Sequence, residues 1–474
     1  MTDARTDRRR FLATAGALGT AVATGVSGPV LAASAGTSAD FDVVVIGGGF
    51  AGATAARELC KAGHRVALLE ARNRLGGRTF TSTFADQSIE FGGAWVHWLQ
   101  PHVWAEMQRY GLGVVEDPFT GLDQTRIMTN DGAVRSIAPD RFLRDIRDAF
   151  EKFCHDVWEV FPRPYEPLHN PRVLELDRLS CADRIAELEL NDTQRVQLNS
   201  FMALYGGEVT TKFGLPGMLK IYAAGGWNYD AFADAETHYR IETGTLGLVT
   251  HMVEDSGCDL RLNTVVSAIE HQPGNVRVKT EAGEVISAQS AVLTLPLNCY
   301  PDIDFNPVLS PAKQRWINEG MISKGAKLYV HLKENLGRVF AFCDEARPFN
   351  WVQTHDYGDD LGTLLSITVA RASTIDLNDD NLIGEEIRRL FGDVTLVGSA
   401  GYDWSVDPFA LGAWPAYGVG QLSRLPDLQR PEGGLVFAGA ITANGWHEFI
   451  DGAVESGIRA GREVNGLLGG GPGR

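Results

Sequence analysis

Cysteine is scarce. The 474 residues hold six, Cys60, Cys154, Cys181, Cys258, Cys299 and Cys343, with no C-x-x-C pair and no spacing shorter than 27 residues. That pattern excludes a disulfide-built scaffold and a thiolate zinc site alike. Histidine offers no other metal set, because the eleven imidazoles form neither an H-x-x-x-H pair nor a Cys/His cluster. Basic charge is also in deficit: 43 Lys and Arg stand against 60 Asp and Glu, a net charge of −17. Such a surface repels nucleic acid and anionic lipid. Long apolar runs are missing apart from Phe11 to Ala35, which is about long enough to span a bilayer but is dominated by Ala, Gly, Ser and Thr. Stable membrane insertion is not expected.

That N-terminal stretch has another reading. Arg8, Arg9 and Arg10 precede Phe11, Leu12 and an uncharged run ending near Ala33-Ser34-Ala35, which resembles a twin-arginine export signal over residues 1–35. It predicts a periplasmic or extracellular protein. Because this route carries chains already folded in a reducing compartment, the cysteines are read as buried free thiols. Without residues 1–35, which hold four Arg and two Asp, the chain carries 39 basic and 58 acidic residues, a net charge of −19. With 44% hydrophobic and 22% charged residues, it has an ordinary globular composition and the length for two or more domains.

Asp42 to Ile46 is an unbroken apolar, β-branched run bounded by glycine, which suits a strand covered on both faces in a parallel sheet. Gly47, Gly49 and Gly52 follow as G-x-G-x-x-G, and Ala51 to Ala62 has helix-forming composition closed by Gly63. Arg65 to Leu69 makes the next strand, with Glu70 at its end, 18 residues past Gly52. This is a βαβ dinucleotide fingerprint: glycines admit a pyrophosphate to a helix N-terminus and the carboxylate receives ribose hydroxyls. Directly after it, ARNRLGGRT brings Arg72, Arg74, Gly76, Gly77 and Arg78. A minimal NAD site does not call for this second basic loop, which favours FAD.

On ARNRLGGRT, FGGAW (Phe91 to Trp95), LNTVVSAIE (Leu262 to Glu270), AVLTLP (Ala291 to Pro296) and LVFAGAITANGWHEFIDGAVESGIRAGREV (Leu435 to Val464), the chain resembles the flavin-containing amine oxidase family. The resemblance spans residues 41 to 465. It implies an α/β (α+β) fold in which a Rossmann-like FAD-binding domain, residues 38–100, 240–297 and 427–470, is interleaved with a mixed-sheet and helical substrate domain, residues 101–239 and 298–426. FAD contacts are expected at Gly47, Gly49, Gly52, Glu70, Arg72, Arg78, Gly93, Ala94, Trp95, Val266, Gly439, Ala440 and Ile450. Ala413 stands where some relatives carry a flavin-linked Cys, so FAD is expected to be non-covalent.

The same resemblance implies an aromatic cage of Trp414 and Phe449 around an amine nitrogen, with Lys327 holding a water near flavin N5. Lys324 is the competing lysine, outside the strand-like run. The implied chemistry is transfer of a hydride equivalent from the α carbon of an uncharged amine, giving an iminium that water hydrolyses. His447 and Glu448 are read as a polar pair facing a loop, and Asp407-Pro408 as a turn presenting Trp414. Glu90 to Pro118, Gly225 to Ile241 and Phe349 to Tyr357 are similar to the bacterial nicotine- and pseudooxynicotine-oxidising members, which implies an alkaloid-type secondary or tertiary amine with Trp95, Tyr205, Thr237 and Trp351 as pocket walls. Two residues depart from the family pattern: Ile441 replaces the usual Glu, and Phe449 is aromatic where the nicotine enzymes are not. A broader aralkyl monoamine oxidase and a non-catalytic exported flavoprotein are the alternatives. The acceptor is O₂ or a periplasmic redox protein, and a homodimer is open.

Overall fold

The structure is a computed structural model and describes residues 39–116 and 121–469. The export-signal reading of residues 1–35 falls outside them. Strand β1 (Val43–Ile46) is wholly buried and pairs in parallel with β2 (Val66–Leu69) on one side and with Ser290–Leu293 on the other. An unbroken Val/Ile run fits this place because neither face meets water. Helix α1 (Phe50–Lys61) joins β1 to β2. The five-stranded sheet runs Leu435–Phe437, Ser290–Leu293, β1, β2, Asp259–Arg261, so its strands come from three distant stretches of chain.

The C-terminal helix Ile450–Leu467 lies against α1, and two glycines set how close it comes. A Cβ on Gly457 would stand 2.5 Å from the Ala51 carbonyl, and one on Gly461 2.9 Å from Glu58 Cβ. Backbone-level contact of this kind gives dense packing that a methyl group would force apart. At the start of the same helix, the buried Asp451 accepts from the His102 and Val103 amides and so caps the helix Pro101–Tyr110, whose own N-cap, Gln100, makes no side-chain cap.

A four-stranded sheet, Val285–Ala288, Asn275–Thr280, Val266–Gln272 and Asp304–Asn306, is distinct from the first. A seven-stranded sheet runs Leu396–Asp403, Ala326–Leu332, Gly362–Val369, Trp351–Gly358, Val339–Cys343, Gln124–Met128, Val134–Ile137, antiparallel except where Val339–Cys343 meets Gln124–Met128. Helices Pro139–Phe153 and Asp192–Gly206 cover part of it, and Tyr229–Thr237 packs on the first of these and on Leu215–Ala224. Phe142 packs on Phe340 and Phe342, and Phe201 on Trp351, joining helices to sheet through aromatic pairs. The six cysteines are free thiols, four of them buried. Among the described residues no helix is long and apolar enough to cross a membrane.

Candidate active site

The glycine motif closes on itself before it can meet a ligand. Gly47 has φ 110°, and a Cβ there would stand 2.6 Å from Thr294 Oγ1. A Cβ on Gly52 would lie 1.9 Å from the Gly47 carbonyl, so the helix can start beneath the turn only if residue 52 has no side chain. Gly49 differs: a Cβ there would find no atom nearer than 3.8 Å, leaving room for a ligand to approach its backbone. The second loop lies across the first, with Gly76 N donating to the Gly48 carbonyl at 3.0 Å. Glu70 joins the two, its Oε2 accepting from Gly48 N at 2.7 Å and its Oε1 from Arg72 N at 2.8 Å.

The two arginines take different partners. Arg72 pairs with Asp407 and lies 5.3 Å over the Phe409 ring, so Asp407 anchors a loop 335 residues away as well as turning the chain. Arg78 donates to the Ala413 carbonyl at 2.7 Å and approaches Met321 Sδ at 3.6 Å, with no carboxylate partner among the described residues. Burial pushes its pKa down to about 10. It stays charged at neutral pH, and a half-buried guanidinium without a carboxylate partner beside two glycine turns fits the diphosphate of a dinucleotide.

Beyond Arg78 the chain is pressed against itself, since a Cβ on Gly92 would stand 2.0 Å from the Arg78 carbonyl. Gly93, exposed, comes next to Thr79 and Ile450, which lie 3.5 and 3.8 Å from where its Cβ would be. Ala94 is buried and Trp95 partly so. Lys327 stands in the strand Ala326–Leu332, paired with Thr368 and Tyr402 on its two sides. Its Nζ lies 4.6 Å over the Trp95 ring and 3.5 Å from the Gly92 carbonyl, which joins the lysine to the FGGAW segment. The neighbouring Glu90 is pushed up by burial, against hydrogen bonds from Thr245 and Thr81 and the Lys327 charge. Val266 begins the strand Val266–Gln272, partly exposed. Gly439, at φ 123°, and Ala440 follow the strand Leu435–Phe437, with Gly439 N bound to Ser456 Oγ at 2.9 Å. Lys324 is outside the strands and donates to the Leu411 carbonyl at 3.0 Å.

The aromatic residues gather on the helical side. Trp414 Nε1 donates to the Tyr205 carbonyl at 2.6 Å. Tyr205 stacks on Phe201 at 4.8 Å, and Phe201 meets Trp351 edge-on at 5.8 Å. Thr237 ends the helix Tyr229–Thr237, buried, with its hydroxyl turned back to the Ala233 carbonyl at 3.2 Å. Phe449 is the N-cap residue of Ile450–Leu467 and packs edge-on against Trp446 at 5.1 Å.

Residues 50–465 match the family described as flavin containing amine oxidoreductase. The chain belongs to this family. The oxidoreductase is 65% identical over 429 residues to nicotine dehydrogenase of Pseudomonas putida, covering 90% of this chain and 89% of that one. It is 35% identical over 479 residues to pseudooxynicotine dehydrogenase of a Pseudomonas species, covering 97% and 96%. Wild-type putrescine oxidase bound to putrescine shares its fold with a TM-score of 0.77 at 21% identity, over 90% of this chain and 99% of that one. The cofactor of the oxidoreductase is FAD.

The structure corrects one expectation. His447 is fully buried and the Glu448 side chain nearly so, and neither faces an open loop. Two further residues join the site, Lys220, buried next to His447, and Gly325, which makes room for Trp414. Lys220 had a signal, a lone charge in LPGMLKIYAA. Gly325 had only its place two residues before Lys327.

Proposed function

We infer that the oxidoreductase oxidises an alkaloid-type secondary or tertiary amine of the nicotine or pseudooxynicotine class. FAD, when bound, accepts a hydride equivalent from the carbon beside the amine nitrogen. The iminium so formed from the substrate is then hydrolysed by water. The observation that carries the substrate class is the aromatic wall, in which Trp414, Tyr205, Phe201 and Trp351 touch in sequence. A flat heteroaromatic ring laid on such a wall gains about 0.5–1.5 kcal/mol per aromatic pair beyond its burial. The nicotine and pseudooxynicotine dehydrogenases to which the chain is similar support the same class.

In this reading Trp414 and Phe449 flank the amine, exclude water and orient its C–H bond, Lys327 holds a water, and Trp95, Tyr205, Thr237 and Trp351 line the pocket. Gly47, Gly49, Gly52, Glu70 and Arg78 hold the adenosine diphosphate half of FAD. Ala413 offers no sulfur, so FAD dissociates. Residues 38–100, 240–297 and 427–470 serve the cofactor, and 101–239 and 298–426 the substrate. The protein is exported by the twin-arginine route and hands its electrons to O₂ or to a periplasmic redox protein.

Anaerobic stopped-flow mixing with nicotine, pseudooxynicotine, tyramine and a polyamine tests the substrate class. Nicotine or pseudooxynicotine should bleach the flavin at least about tenfold faster than the others, a barrier difference of about 1.4 kcal/mol. Fastest reduction by tyramine would overturn the alkaloid assignment, and an unbleached flavin in all four would overturn the enzymatic one. Reoxidation in air and fractionation of the producing cells test acceptor and location.

A further inference from the structure

Helix Leu215–Ala224 carries one charge, Lys220, which is 0% exposed. A buried ammonium is strongly disfavoured unless protein groups replace its water, so its partners show what holds it there. Its Nζ donates to the Ala443 carbonyl at 3.3 Å and lies 3.0 Å from His447 Nδ1. Across the same ring, Nε2 lies 3.3 Å from Glu448 Oε1. The imidazole stands between an ammonium and a carboxyl, one nitrogen toward each, and its face stacks on Tyr417 at 4.4 Å. The Tyr417 hydroxyl in turn donates to the Ile441 carbonyl at 2.6 Å. Glu448 has φ 75°, the left-handed region, which disfavours a residue with a side chain. That turn immediately precedes Phe449.

We propose that Lys220 and His447 are positioning residues of the amine site, clamping Glu448 in its left-handed turn and so aiming the Phe449 ring at the substrate. The proposal rests on the reading of Phe449 as a wall of that site.

The clamp has a charge state. Around it stand Glu455 of the helix Ile450–Leu467, Glu236 of Tyr229–Thr237, Cys181 of Cys181–Glu187 and the Tyr417 hydroxyl. Burial drives Glu236, Glu448, Cys181 and Tyr417 toward their neutral forms and His447 to its neutral form, while Glu455 accepts from the Asn444 and Gly445 amides. Burial pushes Lys220 down to about 7, opposed by Glu455 and Glu448. As pH rises through that value the ammonium becomes an amine and its charge-assisted hydrogen bonds weaken.

The test is anaerobic flavin reduction by nicotine in FAD-loaded wild type, Lys220→Met, Lys220→Arg and His447→Gln, separating the dissociation constant from the limiting rate. Lys220→Met should weaken nicotine binding about tenfold near pH 6, the size of a lost hydrogen bond to a charged group, and far less near pH 9, where the wild-type clamp is itself uncharged. Lys220→Arg should bind as wild type near pH 6 and hold that affinity near pH 9. A Lys220→Met protein with wild-type affinity near pH 6, or with the same loss at every pH, would overturn the proposal. Should that variant fail to load FAD, His447→Gln decides by the same pH comparison. A wild-type flavin that nicotine cannot bleach would instead sink the amine-site reading itself.

Discussion

Gly325 is where it is because of Trp414: a Cβ on residue 325 would stand 2.5 Å from Trp414 Cη2 and 3.0 Å from Cζ3. The indole is held at its other end by the Tyr205 carbonyl, so it cannot swing away to make room. Gly325→Ala should therefore displace the ring and slow flavin reduction by nicotine at least about tenfold. Trp414→Ala should slow it by a similar factor, about 1.4 kcal/mol of barrier. In the double variant the two losses should not add, because both act on one ring. Additive losses in stopped-flow reduction would refute the shared cause.

Gly52→Ala forces a methyl group to within 1.9 Å of the Gly47 carbonyl. The turn that receives the diphosphate must open, and the purified protein should emerge colourless, by visible absorbance. Gly466→Ala in the C-terminal helix is the control: nothing lies within 4 Å of its Cβ, and replacing a helical glycine should stabilise by up to about 1 kcal/mol while the colour stays.

Lys327 faces Trp95 and the Gly92 carbonyl. Lys327→Met should keep FAD bound and slow the flavin half-reactions. Absorbance spectra and stopped-flow rates check both halves of that statement, and loss of FAD would assign the lysine to structure.

Burial drives His355 down to about 3 from 6.5, helped by the Arg240 and Lys327 charges and opposed by its hydrogen bond to the Ser88 carbonyl. Between those two values the unfolded chain binds a proton that the folded chain refuses, so folding stability falls as pH falls through the window, by at most about 1.4 kcal/mol per pH unit. His355→Gln should flatten the acid limb of a pH series of denaturation midpoints and leave the neutral plateau in place.

What could be read from the chain was local. β1, the glycine turn, α1 and β2 follow from contiguous residues whose burial and backbone needs are written in their own side chains, and Lys327 was marked by the apolar strand around it. The pairing of Arg72 with Asp407 was not legible, because it joins residues 335 apart through a turn that explains itself without it. The surroundings of His447 and Glu448 were not legible for a related reason: a polar pair in a loop names no partner, and only the packing of Leu215–Ala224 brings Lys220 to His447. The parallel insertion of Gln124–Met128 beside Val339–Cys343 likewise leaves no trace in either segment.

The order of strands in the nucleotide-binding sheet bears on how the polypeptide is made. Its strand β1 is made before its neighbour Ser290–Leu293, and Leu435–Phe437, which covers the far edge of that neighbour, is made later still. From Leu293 to Leu435 the growing chain must keep that apolar edge shielded, and a product stopped in between lacks the strand that covers it.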